Sequence, residues 1–168
     1  MTRRALSLAL LALAPALAWG LSSDRQEPAY IQADRAELND KTGVSRYHGD
    51  VVLDQGTLHV EAETLVVHRK DGALSRIIAD GEPVKFRQLP DDAEAPMHGR
   101  ALHVEYDAAD EVVTLEGAAR LWQAKDEFTG DRIVYDTASG VVQAEGGATA
   151  EDGRVHAIIH PKEEDGEP

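Results

Sequence analysis

The 168-residue sequence contains no cysteine. That excludes disulfides, thiolate metal sites, cysteine nucleophiles and lipid attachment at an N-terminal cysteine. Basic residues are in deficit, with 17 Lys+Arg against 31 Asp+Glu and a formal net charge of −14. A nucleic-acid binder needs a basic face to displace counterions from phosphates, so that class is set aside. The catalytic signatures H-E-x-x-H, G-x-S-x-G and G-x-x-x-x-G-K-[ST] do not occur. Two H-x-E triplets, His59-Val60-Glu61 and His103-Val104-Glu105, lack the P-C-x-x-C partner that a zinc deaminase requires. What remains is a chain with 42% hydrophobic and 29% charged residues, the composition of one globular domain.

The first residues read as an export signal. Arg3 and Arg4 form a charged start, residues 5–13 are apolar apart from Ser7, and Pro15 ends the run. Ala16-Leu17-Ala18 offers a small-x-small cleavage site, with a cut after Gly20 as the alternative. The expectation is a cleavable signal peptide over 1–18, or 1–20, and an exported protein. The apolar run is shorter than the roughly 20 residues that span a bilayer.

Two short patterns recur along the rest. One is a small residue, a charged residue, then alternating apolar positions. It occurs at Ala33-Asp34, Ala62-Glu63, Gly99-Arg100 and Gly130-Asp131. The other opens with glycine, at Gly49, Gly81, Gly117 and Gly146. The halves superpose with an offset of 68 residues (Gly49 on Gly117, Leu53 on Leu121, Leu65 on Ile133). Within the segments, apolar and polar residues alternate with the period of a strand, as in Leu58, Val60 and Ala62 against His59, Glu61 and Glu63. Pro83 interrupts one segment, which suggests an edge or a bulge, with Val84 and Phe86 then pointing inward. Turn signals such as Asp71-Gly72 and Asp152-Gly153 separate the segments, and helix signals are nearly absent. Residues 89–96 read as a loop at the seam between the halves, and 162–168 as a disordered acidic tail.

The fold class expected is all-β, with many short antiparallel strands that turn one apolar row toward a shared interior and leave edge strands at both ends. The seven histidines and the carboxylate pairs fall on solvent faces, so no catalytic, metal or cofactor site is expected. Trp122 falls on the outward face, where an interface role is open. The last strand, Val155 to Ile159, is apolar on both faces. Such an edge needs a cover, either a partner strand added by β-augmentation or the acidic tail. Tyr30, Ile31 and Gln32 would be the opposite edge.

Several segments together carry a family resemblance. Pro28-Ala29-Tyr30-Ile31-Gln32-Ala33-Asp34, Tyr47-His48-Gly49-Asp50-Val51, Gln55-Gly56-Thr57-Leu58, Leu115-Glu116-Gly117-Ala118-Ala119-Arg120-Leu121 and Gly130-Asp131-Arg132-Ile133-Val134-Tyr135 resemble, in order and spacing, the LptA (OstA-like) family of periplasmic lipopolysaccharide-transport bridge proteins. The resemblance covers residues 28–161. It implies an open, twisted β-jelly roll that stacks head to tail in the periplasm. The resemblance also implies an inner-membrane-anchored component at the N-terminal edge and an outer-membrane translocon at the C-terminal edge. Lipopolysaccharide acyl chains would lie along the interior row of Val51, Leu53, Leu58, Val60, Leu65, Phe86, Leu102, Val104, Leu115, Leu121, Phe128 and Ile133. Tyr30, Ile31 and Gln32 at one end, and Val155, Ala157, Ile158 and Ile159 at the other, would be the docking edges. The alternative is a secreted structural or adhesive β-solenoid that assembles through its edges without lipid. The acidity is unexpected in a carrier of an anionic glycolipid, and points to acyl chains rather than headgroups as the main contact.

Overall fold

The computed structural model describes residues 24–90 and 93–161. The expected signal peptide and the acidic tail lie outside them. Ten strands form one open antiparallel sheet. They are β1 (Tyr30–Gln32), β2 (Arg35–Asn39), β3 (Val44–Gln55), β4 (Leu58–Lys70), β5 (Ala73–Gln88), β6 (Met97–Asp107), β7 (Val112–Gln123), β8 (Asp126–Asp136), β9 (Val142–Glu145) and β10 (His156–Ile158). The order from β3 to β8 follows the chain, each strand pairing with the next. At one end β1 and β2 both pair with β3, and at the other β9 and β10 both pair with β8.

The six long strands are all interrupted at one level. His48 pairs with Thr64 and Val51 with Ala62, so Gly49 and Asp50 stand opposite Glu63 alone. In β5, Gly81, Glu82 and Pro83 fall between paired Asp80 and Val84, facing Leu102. In β7, Gly117 and Ala118 face Asp131 alone. These are β-bulges, which bend a strand and raise its twist. Because they align, they crease the whole sheet into two facing walls. The first wall holds residues 51–55, 58–62, 84–88, 97–101, 119–123 and 126–130, with β1 and β10. The second holds 44–48, 64–70, 73–80, 103–107, 112–116 and 132–136, with β2 and β9. The recurring glycines of the sequence are this crease. Gly49 and Gly117 both have φ +81°, followed by Asp50 and Ala118 at +42° and +47°, a region that L-residues enter at a cost.

The small-then-charged repeat supplies what covers the crease. A Cβ on Gly49 would overlap the Asp34 carboxylate, and one on Gly147 would overlap Asp131. At Gly117 the neighbour is Leu102, whose Cβ lies 2.9 Å from the position of an added Cβ. The 68-residue offset applied to Asp34 lands on Leu102, so the copy read at Gly99-Arg100 is displaced by two. Leu102 is thus 44% exposed on the outside of the crease, while its neighbours Ala101 and Val104 are buried. The expectation that Leu102 lines the interior is corrected. The register shift between Arg100 and His103 turns it outward. The fourth glycine segment, 146–150, is a turn rather than a strand. Its Thr149 backbone N–H and hydroxyl donate to Asp131, and the hydroxyl oxygen accepts the Ala118 N–H at 2.8 Å. That bond satisfies a bulge amide left without a strand partner.

Pro83 marks a bulge in an internal strand, and Val84 beyond it is fully buried, as the phase requires. The turns of the second wall reuse one device. The Asn39 side chain accepts the N–H groups of Lys41 and Thr42, Asp107 those of Ala109 and Asp110, and Asp136 those of Ala138 and Ser139. These Asx turns explain part of the acidity. The accepted bonds hold the Asp107 and Asp136 carboxyls below the usual carboxylate range.

Two outcomes follow for the crease and the final edge. Gly49→Ala adds a Cβ into Asp34 at a positive φ and is expected to cost about 1–3 kcal/mol; an unchanged urea midpoint would refute the role given to the crease. His156, in β10, sits 3.0 Å from Asp152 of the 3-10 turn Glu151–Gly153. The Asp152 carboxylate, then the Glu151 carbonyl, raises the His156 pKa above its ordinary 6.5. The contact therefore strengthens the edge below about pH 6.5 and is lost as pH rises through the raised value. Hydrogen exchange at residues 156–158, corrected for intrinsic rates, should accelerate over that rise, and His156→Gln should remove the dependence.

Candidate functional site

The inward rows of the two walls make the interior. Val51, Leu65, Val84, Leu115, Leu121 and Ile133 are fully buried, each contributing roughly 1.5–3 kcal/mol by leaving water. Leu53, Val60, Met97, Val104 and Tyr135, with Ala79, Ala101 and Ala119, complete the buried cluster. The row is not sealed at the ends. Ile31, Tyr47 and Leu58 at one end, and Phe128, Val142 and Ala144 at the other, are only partly buried against it.

Between the walls, part of the space from β3 to β8 stays open. A cavity of about 760 Å³, its outer part open to solvent, is lined by Leu58, Val60 and Phe86 of the first wall and Leu74, Ile77, Ala79, Val104, Tyr106 and Val113 of the second. Its rim is polar: Asp24, Gln55 and Gln88 on one lip and Thr137 on the other. A second, smaller hollow, about 370 Å³ with its open mouth included, continues past Phe86, Gln88 and Val113 to Met97, Pro90, Tyr135 and Thr137. Gln88, Val113 and Thr137 line both, and so does Phe86. Its ring can lie where it does because residue 99 is glycine, since any Cβ there would overlap it.

The N-terminal residues close one end of the rim. Asp24 is 6% exposed. It accepts bonds from Thr57 N at 2.9 Å, Thr57 Oγ1 at 2.7 Å and Gln88 Nε2 at 3.0 Å. Burial alone would raise its pKa, but the three donors outweigh burial and hold the carboxyl below its usual value. A 3-10 turn, Asp24–Gln26, is thereby latched over the β3–β4 hairpin at the mouth of the cavity.

The expected interior residues therefore divide. Leu58, Val60, Phe86 and Val104 line the open cavity. Val51, Leu53, Leu65, Leu115, Leu121 and Ile133 are packed core, and Phe128 lies half-buried near the last edge. Leu102 is outside. Sequence reading missed Leu74, Ile77 and Ala79, and it placed Tyr106 and Val113 on the apolar face without naming them as lining residues. Ile77 and Val113 alternate correctly with their neighbours and were legible by phase; the Asp24 latch left no pattern to find. Of the edges, Tyr30, Ile31 and Gln32 form β1, with Tyr30 65% exposed. Ala157 and Ile158 belong to β10, whereas Val155 and Ile159 flank it outside the strand, Ile159 70% exposed. The chain beyond β10 is pinned by the His160 N–H donating to Asp126 at 2.8 Å. Trp122 does face outward, stacked on His98 with ring centres 5.2 Å apart. Among the described residues no group of three or more His, Asp or Glu converges as a metal site.

A creased, open-ended antiparallel sheet with an apolar trough between its walls defines an open β-jelly roll. Residues 30–141 match the family described as LptA/(LptD N-terminal domain) LPS transport protein. The chain belongs to that family. Its relatives include the lipopolysaccharide export system protein LptH of Pseudomonas aeruginosa, 34% identical over 90% of this chain and 89% of that protein. The export system protein LptA of Haemophilus influenzae is 30% identical over 96% and 94%. The crystal structure of LptH, described as the LptA-homologous periplasmic component of the lipopolysaccharide transport device, superposes with a TM-score of 0.74. It is 31% identical and covers 83% of this chain and 99% of the LptH chain.

The place of Phe86 beside both hollows is open to test. Gly99→Ala is expected to drive the ring into the cavities and to cost about 1–3 kcal/mol by overpacking. Uptake of a fluorescent fatty-acid probe should fall several-fold; unchanged uptake would show that Phe86 does not control the space.

Proposed function

We propose that this protein is exported to the periplasm by cleavage of residues 1–18 or 1–20 and carries lipopolysaccharide between the two membranes. Acyl chains lie in the trough, against Leu58, Val60, Phe86 and Val104 as first contacts. The observation that carries the reading is an apolar row that runs through both walls and is unsealed at either end. A soluble protein gains nothing from leaving such a row open unless something apolar occupies it.

The energetics suit transport. Each buried CH₂ is worth roughly 0.8 kcal/mol against water, so exposing a chain of about twelve carbons costs on the order of 10 kcal/mol. An apolar trough replaces a membrane with little net change and does not trap its cargo. It also supplies no drive, so work must come from a partner upstream. Opening the packed part, at Leu115, Leu121 and Ile133, requires the walls to part about the crease as the lipid advances.

The two ends serve as docking edges. Tyr30, Ile31 and Gln32 with β2 present unpaired backbone to an inner-membrane-anchored component of the same transport system. Ala157 and Ile158, flanked by Val155 and Ile159, present it to an outer-membrane translocon or to the next copy in a head-to-tail homo-oligomer, by strand addition. No cofactor and no enzymatic step is part of this proposal.

Photo-crosslinking in the native host tests it. A photoreactive residue is placed at Val104 in the trough, Ile158 at the edge, and Glu116 on the outer face. The expected result is a lipopolysaccharide adduct at 104, a protein adduct at 158 and neither at 116. Protein adducts at 158 without lipid at 104 would instead identify a structural assembly protein.

A further inference from the structure

Although the chain is acidic overall, the outer face of its first wall carries an unbroken row of cations. Lys85 on β5 stands opposite Arg100 on β6, and Arg100 stands opposite Arg120 on β7. Like charges directly opposite, with Cβ atoms about 5 Å apart, oppose folding. With 31 acidic residues against 17 basic, the chain had acids to interleave. It does so on the second wall, where Arg76 meets Glu105 at 3.3 Å and Arg132 meets Glu116 at 3.1 Å. On the first wall, Lys85 and Arg120 each hold one acid, Glu61 at 3.0 Å and Glu127 at 2.6 Å. Arg100, and Arg87 one row nearer the lip, are exposed and make no ion pair among the described residues. Arg120 is fixed against Trp122, its guanidinium carbon 4.8 Å from the ring centre, so the row has a rigid end.

Position supplies the second argument. Arg87 is the chain neighbour of Gln88, which lines both cavities at their mouth. An amphiphile with its chains in the trough that emerges over this lip has Arg87 and then Arg100 in successive outward positions of the wall beside it. Guanidinium groups bind phosphate through two parallel hydrogen bonds.

We propose that Arg87 and Arg100, with Lys85 and Arg120 raising the local potential, bind the phosphate-bearing headgroup of the lipid whose acyl chains occupy the trough. The proposal rests on the reading of the trough as a lipid site. It answers how a chain of charge −14 tolerates anionic cargo: the repulsion is offset on one wall alone.

The test compares lipid A carrying its phosphates with the same lipid after enzymatic dephosphorylation, each titrated into the purified protein at low and high salt. The wild type should prefer the phosphorylated lipid about tenfold at low salt, and the preference should shrink as salt screens it. The double substitution R87Q/R100Q should lose that tenfold on the phosphorylated lipid and nothing on the dephosphorylated one. Its melting temperature should hold or rise, because like charges have been removed. Equal losses on both lipids would overturn the proposal, and so would no loss on either. Intact lipid binding with lost crosslinks to a neighbouring protein would also overturn it, making the row a protein-docking surface. A wild type that binds both lipids equally leaves the trough standing and removes only the headgroup site. A wild type that binds neither removes the trough reading itself.

Discussion

The crease governs everything else in this protein. A single antiparallel sheet has two faces and no interior. Here the long strands spend one or more unpaired residues at a common level, near Gly49, Glu63, Gly81, Leu102, Gly117 and Asp131, and the sheet closes on itself. Both the packed core and the open trough are by-products of that fold line. The backbone cost is met locally, by glycine at the tightest points and by Asp34, Leu102 and Asp131 lying over them. No cross-linking disulfide is available to hold the walls, so apolar contact between them must do it.

The interior divides the labour between stability and occupancy. Toward β7 and β8 the walls meet, and Leu115, Leu121 and Ile133 are shut off from water. Elsewhere they stand apart, over hollows lined by residues from β3 to β8, with the Phe86 ring packed against Gly99 beside both. Asp24 ties the chain's N-terminal turn across the mouth of the wider space through Thr57 and Gln88. An apolar surface held open in this way is costly in water, and its presence is the physical reason to assign it cargo.

Much of this was legible in the sequence. Alternation placed Val60, Val104 and Leu121 inward, and the glycine spacing marked the crease without revealing that it was one. Period-2 reading fails where a bulge resets the phase, and Leu102 is the example. Its apolar character suggested the interior, but it occupies the position of Asp34 and faces out. The glycine run at 146–147 had the right spacing for a strand, yet it forms the turn whose Thr149 caps the last bulge. The cation row was invisible for a different reason. Lys85, Arg100 and Arg120 are far apart in the chain, and only register brings them side by side. The Asp24 latch depends on the same long-range placement.

From β4 to β7 every strand hydrogen-bonds only to the strands before and after it in the chain. Such a stack is quasi-one-dimensional. Its cross-section is set by where each strand bends, and its length by how many hairpins are present. The two quantities are independent. A hairpin inserted in frame with the crease would lengthen the sheet without altering its cross-section, and one removed would shorten it. The protein is in this sense a ruler that can be recut to a new length while its gauge stays the same.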